Sequence, residues 1–512
     1  MHHLPCFSLW TVHSVPGRYL SGLPISPNEV FELVKNIGDP IKILCGPAAK
    51  YGFGTFGGKK TKDIQEFNEN FDLIIKGDAE IVIQDLLKNK CKINLVDNSK
   101  CRKNSEEVKE IAVKGAKIIS QHPGFPNYLI SEIETYRGCS RSIVGGCSFC
   151  SEPSKGSPDF RSIKSIIDEI QKLYSIGLRH IRIGNQPCIF SYMAFDAKTE
   201  EFPRPNPEAL EKLFSGIRAS APQLKTLHID NANPGIIARY PKECEKIGKT
   251  IIKYHTSGDV AAFGMESADP DVIKNNNLKA TADEVYEAIK LINKIGSKRG
   301  DNGLPELLPG LNFLFGLKGE TKKTFKMNFE FLNKIVDDGL LIRRINIRQV
   351  IPIPHTVIYD DAGKKIIKHK KEFQQFKRKV KENIERPLLK KLIPPGTILK
   401  DIYSELYIGK LTFGRQLGSY PLLVGIPGEI ALNKFVNVKI VDYGFRSVTA
   451  LPFPLDINKA QKETIEMLPG VGKKRADRII KKRPFCSKED FISSLDDLQI
   501  AEDLLQYITI AY

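Results

Sequence analysis

The stretch ETYRGCSRSIVGGCSFCSEPSKG, residues 134–156, decides how the rest of this sequence is interpreted. It places Cys139, Cys147 and Cys150 in a loop rich in Gly and Ser, with the spacing C-x7-C-x2-C. The loop directly follows the predicted strand LISEIETYR. Only these three of the ten cysteines cluster, which argues against a disulfide framework and for reduced thiols that bind a metal.

Two kinds of metal site are compatible with this loop, because three thiolates cannot complete a four-coordinate site. One is a structural zinc ion with a distant fourth ligand such as Cys188 or His180. The other is an iron–sulfur cluster in which one iron stays open for a substrate or cofactor. The second kind of site suits the carboxyl end of a barrel strand.

Strand and helix patterns alternate regularly between residues 126 and 360. The strand candidates are LISEIETYR, HIRIGN, TLHIDNA, VAAFGMES, GLNFLFGL and RINIRQVIPI. Helical patterns such as SIKSIIDEIQKLYSIG separate them. Six parallel strands with right-handed helical crossovers predict an α/β fold, a partial (β/α)6 barrel of the TIM type.

The cysteine loop and these six units resemble the radical S-adenosylmethionine (SAM) superfamily. The resemblance implies a [4Fe–4S] cluster held by Cys139, Cys147 and Cys150, with the fourth iron chelated by the amino and carboxylate groups of SAM. In that family an aromatic residue precedes the last cysteine and packs near the adenine, and Phe149 holds that place. The usual spacing is C-x3-C-x2-C, so the first loop is longer here.

Two later segments continue the resemblance. AFGMESADPDVIK is similar to the fourth-strand signature, which assigns Glu266 and Ser267 to SAM. A carboxylate at a strand end can bind the SAM amino group, and the alternative is that Glu266 caps the next helix. GLNFLFGLKGETKKTF is similar to the fifth-strand motif, with Lys318 in place of a proline, and it assigns Asn312 to SAM.

Polar residues also stand where other predicted strands end. They are Asn185 in RIGNQP, Asp230 and Asn233 in HIDNANP, and Arg348 in INIRQV. Because the mouth of an α/β barrel holds the active site, we predict that Asn185 and Arg348 contact the cofactor. Asp230, Asn233 and Arg348 are candidates for substrate or SAM contacts.

Residues 1–125 predict an incomplete, Rossmann-like α/β domain. This segment resembles the latter half of the cobalamin-binding-type domain that precedes many radical SAM barrels. The matching positions are Gly46, Pro47, Gly77, Asp78 and Glu80. An Asp-x-His-x-x-Gly element, which would supply an imidazole to cobalt, does not occur near them. Cobalamin binding and an ordinary α/β scaffold therefore both remain open.

The region after the barrel divides into three predicted parts. Residues 361–407 form a basic helical linker, with 13 Lys and Arg against three Asp and Glu between residues 364 and 400. Residues 408–455 predict a small β-barrel, weakly similar to the TRAM or OB type. Residues 456–512 return to helical patterns.

The segment NKAQKETIEMLPGVGKKRADRIIKKRPF matches the helix-hairpin-helix motif. Its Gly470 and Gly472 allow a tight hairpin that exposes amide groups and a helix start to a phosphate. Lys473, Lys474 and Arg475 follow directly, and residues 459–483 carry nine Lys and Arg against three Asp and Glu. We predict contact with a nucleic-acid backbone, and the alternative is a hairpin that is structural or docks a protein.

The whole chain of 512 residues carries 77 Lys and Arg against 60 Asp and Glu, a formal charge of +17. A polyanionic partner or a merely Lys-rich surface would both account for this excess. No stretch approaches the roughly 20 apolar residues of a membrane span, and the opening MHHLPCFSLW lacks the features of a signal peptide. We therefore expect a cytoplasmic protein without a membrane partner.

Three functions are consistent with these features. The first is a radical SAM enzyme that modifies a nucleic acid, most simply RNA, with a reductant such as ferredoxin or flavodoxin supplying the electron. The second is a cobalamin-assisted radical SAM methyltransferase, or another modification of a protein or small molecule. The third is a zinc-stabilised nucleic-acid-binding protein without enzymatic activity.

Overall fold

The computed structural model describes residues 27–52, 57, 69–359 and 369–510. Residues 1–26, most of the Gly-rich stretch at 50–59, and residues 361–368 of the predicted linker lie outside this part of the chain.

The N-terminal domain is a small α/β unit. Its strands β1 (Ile43–Leu44) and β2 (Leu73–Ile74) pair in parallel. Its helices are α1 (Pro27–Lys35), α2 (Pro47–Tyr51), α3 (Ala79–Lys88) and α4 (Lys109–Gly115). Parallel pairing with intervening helices agrees with the α/β class expected from the sequence.

Six parallel strands form the central barrel. They are β3 (Ser131–Glu134), β6 (His180–Gly184), β7 (Thr226–Ile229), β9 (Asp259–Glu266), β10 (Leu307–Phe315) and β11 (Arg344–Gln349), and three short strands accompany them, β4 (Tyr136–Arg137), β5 (Asp159–Phe160) and β8 (Asn231–Ala232). The barrel strands form two sheets, one ordered β3-β6-β7 and the other β8-β9-β10-β11 with the short strand β8 at its edge. The predicted partial (β/α)6 barrel is confirmed.

Seven helices cover the outside of these strands. They are α5 (Ile163–Ile176), α6 (Pro207–Ser220), α7 (Pro234–Arg239), α8 (Pro241–Tyr254), α9 (Pro270–Asn275), α10 (Ala282–Gly296) and α11 (Lys322–Asp337). Local sequence sets their ends: Thr281 and Glu284 form a reciprocal capping box at the start of α10. Strand β9 is buried along all eight residues, as expected for a parallel strand covered on both faces.

The region after the barrel begins with helix α12 (Lys370–Val380), which continues through a π-helical turn (Lys381–Glu385) into α13 (Arg386–Leu392). A closed five-stranded barrel follows, made of β12 (Ile398–Ile408), β13 (Leu411–Gln416), β14 (Leu423–Pro427), β15 (Phe435–Tyr443) and β16 (Ser447–Pro452).

One predicted boundary in this region was wrong. Strand β12 begins at Ile398, so residues 398–407, which the sequence analysis assigned to the linker, belong to the small barrel. The exposed side chains of Lys400 and Asp401 interrupt the apolar pattern of this strand, which hid its beginning.

The loop at residues 417–420 connects the two barrels. The hydroxyl of Thr226, at the start of β7, donates to the carbonyl of Leu417 at 3.0 Å, and the Ser419 amide donates to Nδ1 of His228 at 2.8 Å. The Tyr420 hydroxyl donates to Asp230, just beyond the end of β7, at 3.2 Å. The loop therefore runs along β7 and attaches the small barrel firmly to the central one.

Four short helices complete the chain. They are α14 (Lys462–Glu466), α15 (Gly472–Lys482), α16 (Lys488–Ser493) and α17 (Leu498–Leu504), and β17 (Leu455–Asp456) pairs with β18 (Ile508–Thr509). They share one apolar core, in which the rings of Phe485 and Phe491 meet edge to face at 5.4 Å. In the described part of the chain, no helix combines the length and apolar character needed to cross a bilayer.

Candidate functional site

The three clustered cysteines line one cavity of about 910 Å³ at the carboxyl ends of the barrel strands. The chain enters their loop at Gly138, whose φ of 82° favours glycine, and an added Cβ there would lie 2.5 Å from the Ser157 carbonyl oxygen. The Cys139 amide then donates to the Gly156 carbonyl at 2.9 Å, which closes the loop into a ring.

The environment of these thiols disfavours free thiolates. Burial raises the pKa of Cys139, Cys147 and Cys150, and the pKa of Cys150 reaches about 12, with the neighbouring thiols adding to the effect. Three thiolates would therefore be stable here only beside positive charge, which a bound metal group supplies.

The spatial arrangement of the thiols also bears on which group they hold. Within the described ranges, no three His, Cys, Asp or Glu side chains are close enough together to hold a single metal ion. The three thiols line a common cavity. An iron–sulfur cluster, which spreads its thiolate ligands over separate iron atoms, fits this donor set.

The two side chains suggested as a distant zinc ligand form hydrogen bonds with other residues. His180 hydrogen bonds Thr226 at 2.8 Å at the beginning of β6, at the opposite end of the strands from the cysteines. Burial lowers the pKa of His180 to about 4. Cys188 does line the cavity, but its sulfur accepts the Asn233 amide at 3.1 Å. His180 does not line the cavity of the cysteines, which argues against it as the distant ligand in the zinc alternative.

Glu266 lies at the last position of β9, with 9% of its surface exposed and a φ of 63°. Burial raises its pKa to about 7, although Lys279 and Arg348 oppose that shift electrostatically. The capping alternative was wrong, because the side chain of Asp269 caps α9 by accepting the Asp271 amide at 3.0 Å. Glu266 is thus a buried carboxylate that does not itself line the described cavity and meets it only through the neighbouring Lys279.

Lys279 is a residue that the sequence analysis missed. It lines the cavity, and its charge acts on Cys139, Cys147 and Glu266. A Cβ added at Gly264 would lie 2.4 Å from the Lys279 Nζ and 2.5 Å from the Glu266 Oε1, so the ammonium and the carboxylate occupy the same small space. An adjacent cation and carboxylate suit a ligand that carries both an amino and a carboxylate group.

Of the next three residues predicted to contact the cofactor, only Asn185 lines the cavity. Asn185 lines the cavity with a φ of 58°, and its amide donates to Glu134 at 3.3 Å. Asn312 does not line the cavity and accepts a hydrogen bond from Asn346 at 2.8 Å. Arg348 is exposed on β11, and its charge acts on Glu266.

Ser267 and Phe149 also lie outside the cavity lining. Ser267 is buried, accepts the Asp269 amide at 3.1 Å and so shapes the turn after β9. Phe149 packs in an apolar cluster with Leu278, Leu317 and neighbouring side chains. The structure therefore places Glu266 beside Lys279 of the cavity wall, but Glu266, Ser267 and Phe149 all lie outside the lining itself.

Asp230 and Asn233, predicted to contact the substrate or SAM, both line the cavity, and both also accept hydrogen bonds within the protein. Asp230 lines the cavity, and burial raises its pKa against the influence of Arg182. It also accepts a hydrogen bond from Tyr420, which no local sequence signal could have revealed. Asn233 lines the cavity, but its side-chain oxygen caps α7 by accepting the Gly235 amide.

The N-terminal domain forms the opposite wall of the cavity. All five positions of the cobalamin-type resemblance, Gly46, Pro47, Gly77, Asp78 and Glu80, are among the lining residues. Asp78 forms a 2.6 Å ion pair with Arg137 of β4, which fixes this domain against the cysteine loop. The described lining contains no histidine that could supply an imidazole.

The glycine hairpin predicted to bind phosphate is open on one side. Gly470 and Gly472 have φ values of 76° and 57°, and helix α15 begins without a side-chain cap. Lys473 and Lys474 are exposed at this helix start. Arg475 is engaged elsewhere: it pairs with Asp496 at 2.7 Å and donates to the Gly470 carbonyl at 2.6 Å.

Fold and site together define an enzyme with a partial α/β barrel that holds an iron–sulfur group at the carboxyl ends of its strands. The sequence family model described as "Radical SAM superfamily" matches residues 133–332. Residues 133–332 therefore form a radical SAM domain, and the cofactors of that superfamily are a [4Fe–4S] cluster and SAM.

Several curated proteins are similar to this chain. An uncharacterized protein of Methanocaldococcus jannaschii, MJ0274, is 51% identical over 85% of this chain and 80% of its own length. An uncharacterized protein of Archaeoglobus fulgidus is 42% identical over 89% of this chain and 80% of its own length. The ribosomal protein uS12 methylthiotransferase RimO of Histophilus somni is 23% identical over 58% of this chain and 64% of its own length.

Proposed function

We propose that this radical SAM enzyme modifies a nucleic acid, most simply RNA, in the cavity between the barrel and the N-terminal domain. The observation that carries the proposal is the exposed, uncapped start of α15 with Lys473 and Lys474 beside it. Helix starts and lysines bind phosphate together, because the helix dipole and free amides add to the lysine charge.

The proposed assignment of the cofactor site follows the geometry described above. Cys139, Cys147 and Cys150 would hold the cluster, Glu266 would bind the SAM amino group and Lys279 would bind the SAM carboxylate. When bound and reduced by one electron, the cluster and SAM would supply radical chemistry for abstraction of a hydrogen atom from the substrate. The protein would orient SAM, since the barrel and the N-terminal domain line the cavity together.

A second basic surface supports a nucleic-acid target. The ring of Phe445, 38% exposed, lies at the turn between β15 and β16. The Lys381 ammonium is 4.3 Å from its centroid, and the Arg386 guanidinium is 5.7 Å away. An exposed aromatic ring flanked by cations offers a stacking surface for an unpaired base and charge for its phosphates.

The direct test is a binding assay with tRNA and with duplex DNA across a salt series. Lys473→Glu with Lys474→Glu should lower affinity at least tenfold and reduce the salt slope, because two phosphate contacts become repulsive. Arg475 stays unchanged, since its ion pair with Asp496 supports the hairpin.

The matched control reverses Lys242 and Lys246, two exposed lysines on α8, which makes the same change in net charge far from the hairpin. This variant should bind RNA as the wild type does. If the wild type shows no salt-sensitive binding, or if both double variants bind alike, the nucleic-acid proposal is wrong.

Cobalamin-assisted modification is the second candidate, favoured by the position of Gly46, Pro47 and Asp78 in the cavity wall. The absorbance spectrum of anaerobically purified protein tests it. Stoichiometric cobalt would support this candidate, and its absence after growth with cobalamin would count against it.

A further inference from the structure

The first cysteine interval contains an arginine that points back at the cluster site. Seven residues separate Cys139 from Cys147, four more than the three of the usual superfamily spacing, and Arg141 lies among them. The extra length forms a 3-10 turn (Ser140–Val144), after which Gly145 and Gly146 return the chain to Cys147.

Arg141 is buried, with 3% of its surface exposed, although it is one of the most strongly hydrated side-chain types. Its Nη1 donates to the Cys147 Sγ at 3.0 Å. A buried guanidinium needs several acceptors, and a cysteine sulfur is a weak one unless it carries negative charge. This contact therefore suits a thiolate bound to iron better than a neutral thiol.

Two further residues fix the guanidinium in place. Asn277 accepts from Nη1 through its carbonyl at 2.8 Å and from Nη2 through its side chain at 3.0 Å. Glu201 accepts from Nε at 2.9 Å. Asn277 also donates to the carbonyls of Val144 and Gly146, at 2.9 and 2.8 Å, so the same residue holds the loop that carries the arginine.

We propose that Arg141 is a positioning residue that sets the reduction potential of the cluster through its hydrogen bond and positive charge at the Cys147 sulfur. The inference rests on the assignment of the three cysteines to the cluster, and it is independent of the nucleic-acid target. Hydrogen bonds to cluster sulfurs and nearby positive charge both stabilise the state with one more electron. That electron comes from a one-electron reductant of the ferredoxin or flavodoxin class, and no bond forms or breaks.

The test is a redox titration of reconstituted holoenzyme, followed by electron paramagnetic resonance of the reduced cluster. Arg141→Gln should keep the iron and sulfide content, because no ligand is lost. It should lower the equilibrium constant for one-electron reduction of the cluster at least tenfold. This corresponds to a reduction potential lower by about 59 mV or more. Arg141→Lys, which keeps the charge but loses the fork geometry, should fall between the two.

Two other variants separate a charge effect from a loosened loop. Glu201→Gln removes the negative charge that balances Arg141. The reduction potential of the cluster should therefore rise in this variant, whereas it should fall in Arg141→Gln. Lys155→Gln removes one positive charge from the same loop, but this lysine pairs with Glu152 at 2.8 Å and not with a sulfur. The reduction potential in this variant should fall by less than in Arg141→Gln, because no hydrogen bond to a sulfur is lost.

The proposal is overturned if Arg141→Gln assembles a cluster with the wild-type potential, or if Lys155→Gln lowers the potential equally. If Arg141→Gln cannot assemble a cluster, the Glu201→Gln variant decides, and an unchanged or lowered potential there overturns the proposal. A wild-type protein that assembles no cluster would instead contradict the assignment of the cysteines.

Discussion

At the scale of single residues, the burial of the Glu266 carboxylate lowers the stability of the fold but provides a charged group for the proposed cofactor site. The carboxylate is buried at the end of β9, and its pKa is raised to about 7. In the unfolded chain an ordinary glutamate has a pKa of about 4.3. The folded protein therefore keeps a proton that the unfolded chain releases between these values, and stability falls as the pH rises through that window.

Glu266→Gln should consequently have two opposite effects. SAM affinity should fall about tenfold to a hundredfold, because the charge-assisted hydrogen bond to the SAM amine is worth about 1.5–3 kcal/mol. The free energy of unfolding without ligand at pH 8 should rise by on the order of 1–3 kcal/mol, because a neutral amide avoids burying a charge. Equilibrium dialysis with labelled SAM and urea denaturation at pH 5 and pH 8 measure these effects.

Asp269→Asn provides the comparison, since Asp269 caps the following helix by accepting the Asp271 amide, whereas Glu266 lies beside Lys279 of the cavity wall. It should alter stability modestly and leave SAM affinity unchanged. Unchanged SAM affinity in Glu266→Gln would remove Glu266 from the cofactor site.

Residue-scale analysis of the sequence proposed the three cysteines and Glu266, because strand ends and cysteine spacing are local patterns. It could not reach Arg141 or Lys279. Each of these is an ordinary basic residue in its local sequence, and each meets the site only because a loop folds back over it.

At the scale of elements, the loop at residues 417–420 joins the two barrels with little free space. Gly418 packs against His228, and a Cβ added to Gly418 would lie 2.7 Å from the ring carbon Cε1. Because this ring lies inside the fold, it can move only by disturbing its neighbours.

Gly418→Ala should therefore lower the free energy of unfolding by about 1–3 kcal/mol, the usual effect of overpacking a tight contact. Denaturant titration measures it. Gly115→Ala is a matched control, because Gly115 ends helix α4 with open space around its Cα, and it should not destabilise the protein. Equal stability of the Gly418 variant and the wild type would show that the loop is less tightly packed than described.

The strands and helices could be predicted where buried residues recur with a regular period. Contacts between elements that are distant in the chain could not be predicted. All six barrel strands follow from their apolar runs, and the capping residues mark several helix starts. The contact between residues 417–420 and β7 spans about 190 positions of the chain, and no local pattern encodes it.

At the scale of the whole molecule, the parts form one connected structure. The ion pair between Asp78 and Arg137 fixes the N-terminal domain over the cavity. The Thr464 hydroxyl donates to the Pro427 carbonyl of β14 at 2.9 Å, so the C-terminal helices rest on the small barrel. The cofactor cavity and the proposed phosphate-binding hairpin therefore belong to one framework joined through the 417–420 loop.

The central claim is that Cys139, Cys147 and Cys150 hold a [4Fe–4S] cluster that cleaves SAM. The most direct measurement is anaerobic reconstitution of the full chain, with iron and sulfide analysis and detection of 5′-deoxyadenosine after addition of SAM and dithionite. We predict about four irons and four sulfides per chain and clear formation of 5′-deoxyadenosine. Cys147→Ala and Cys150→Ala should abolish both, and Cys101→Ala, an exposed cysteine of the N-terminal domain, should retain both. Stoichiometric zinc without acid-labile sulfide in the wild type would contradict the account.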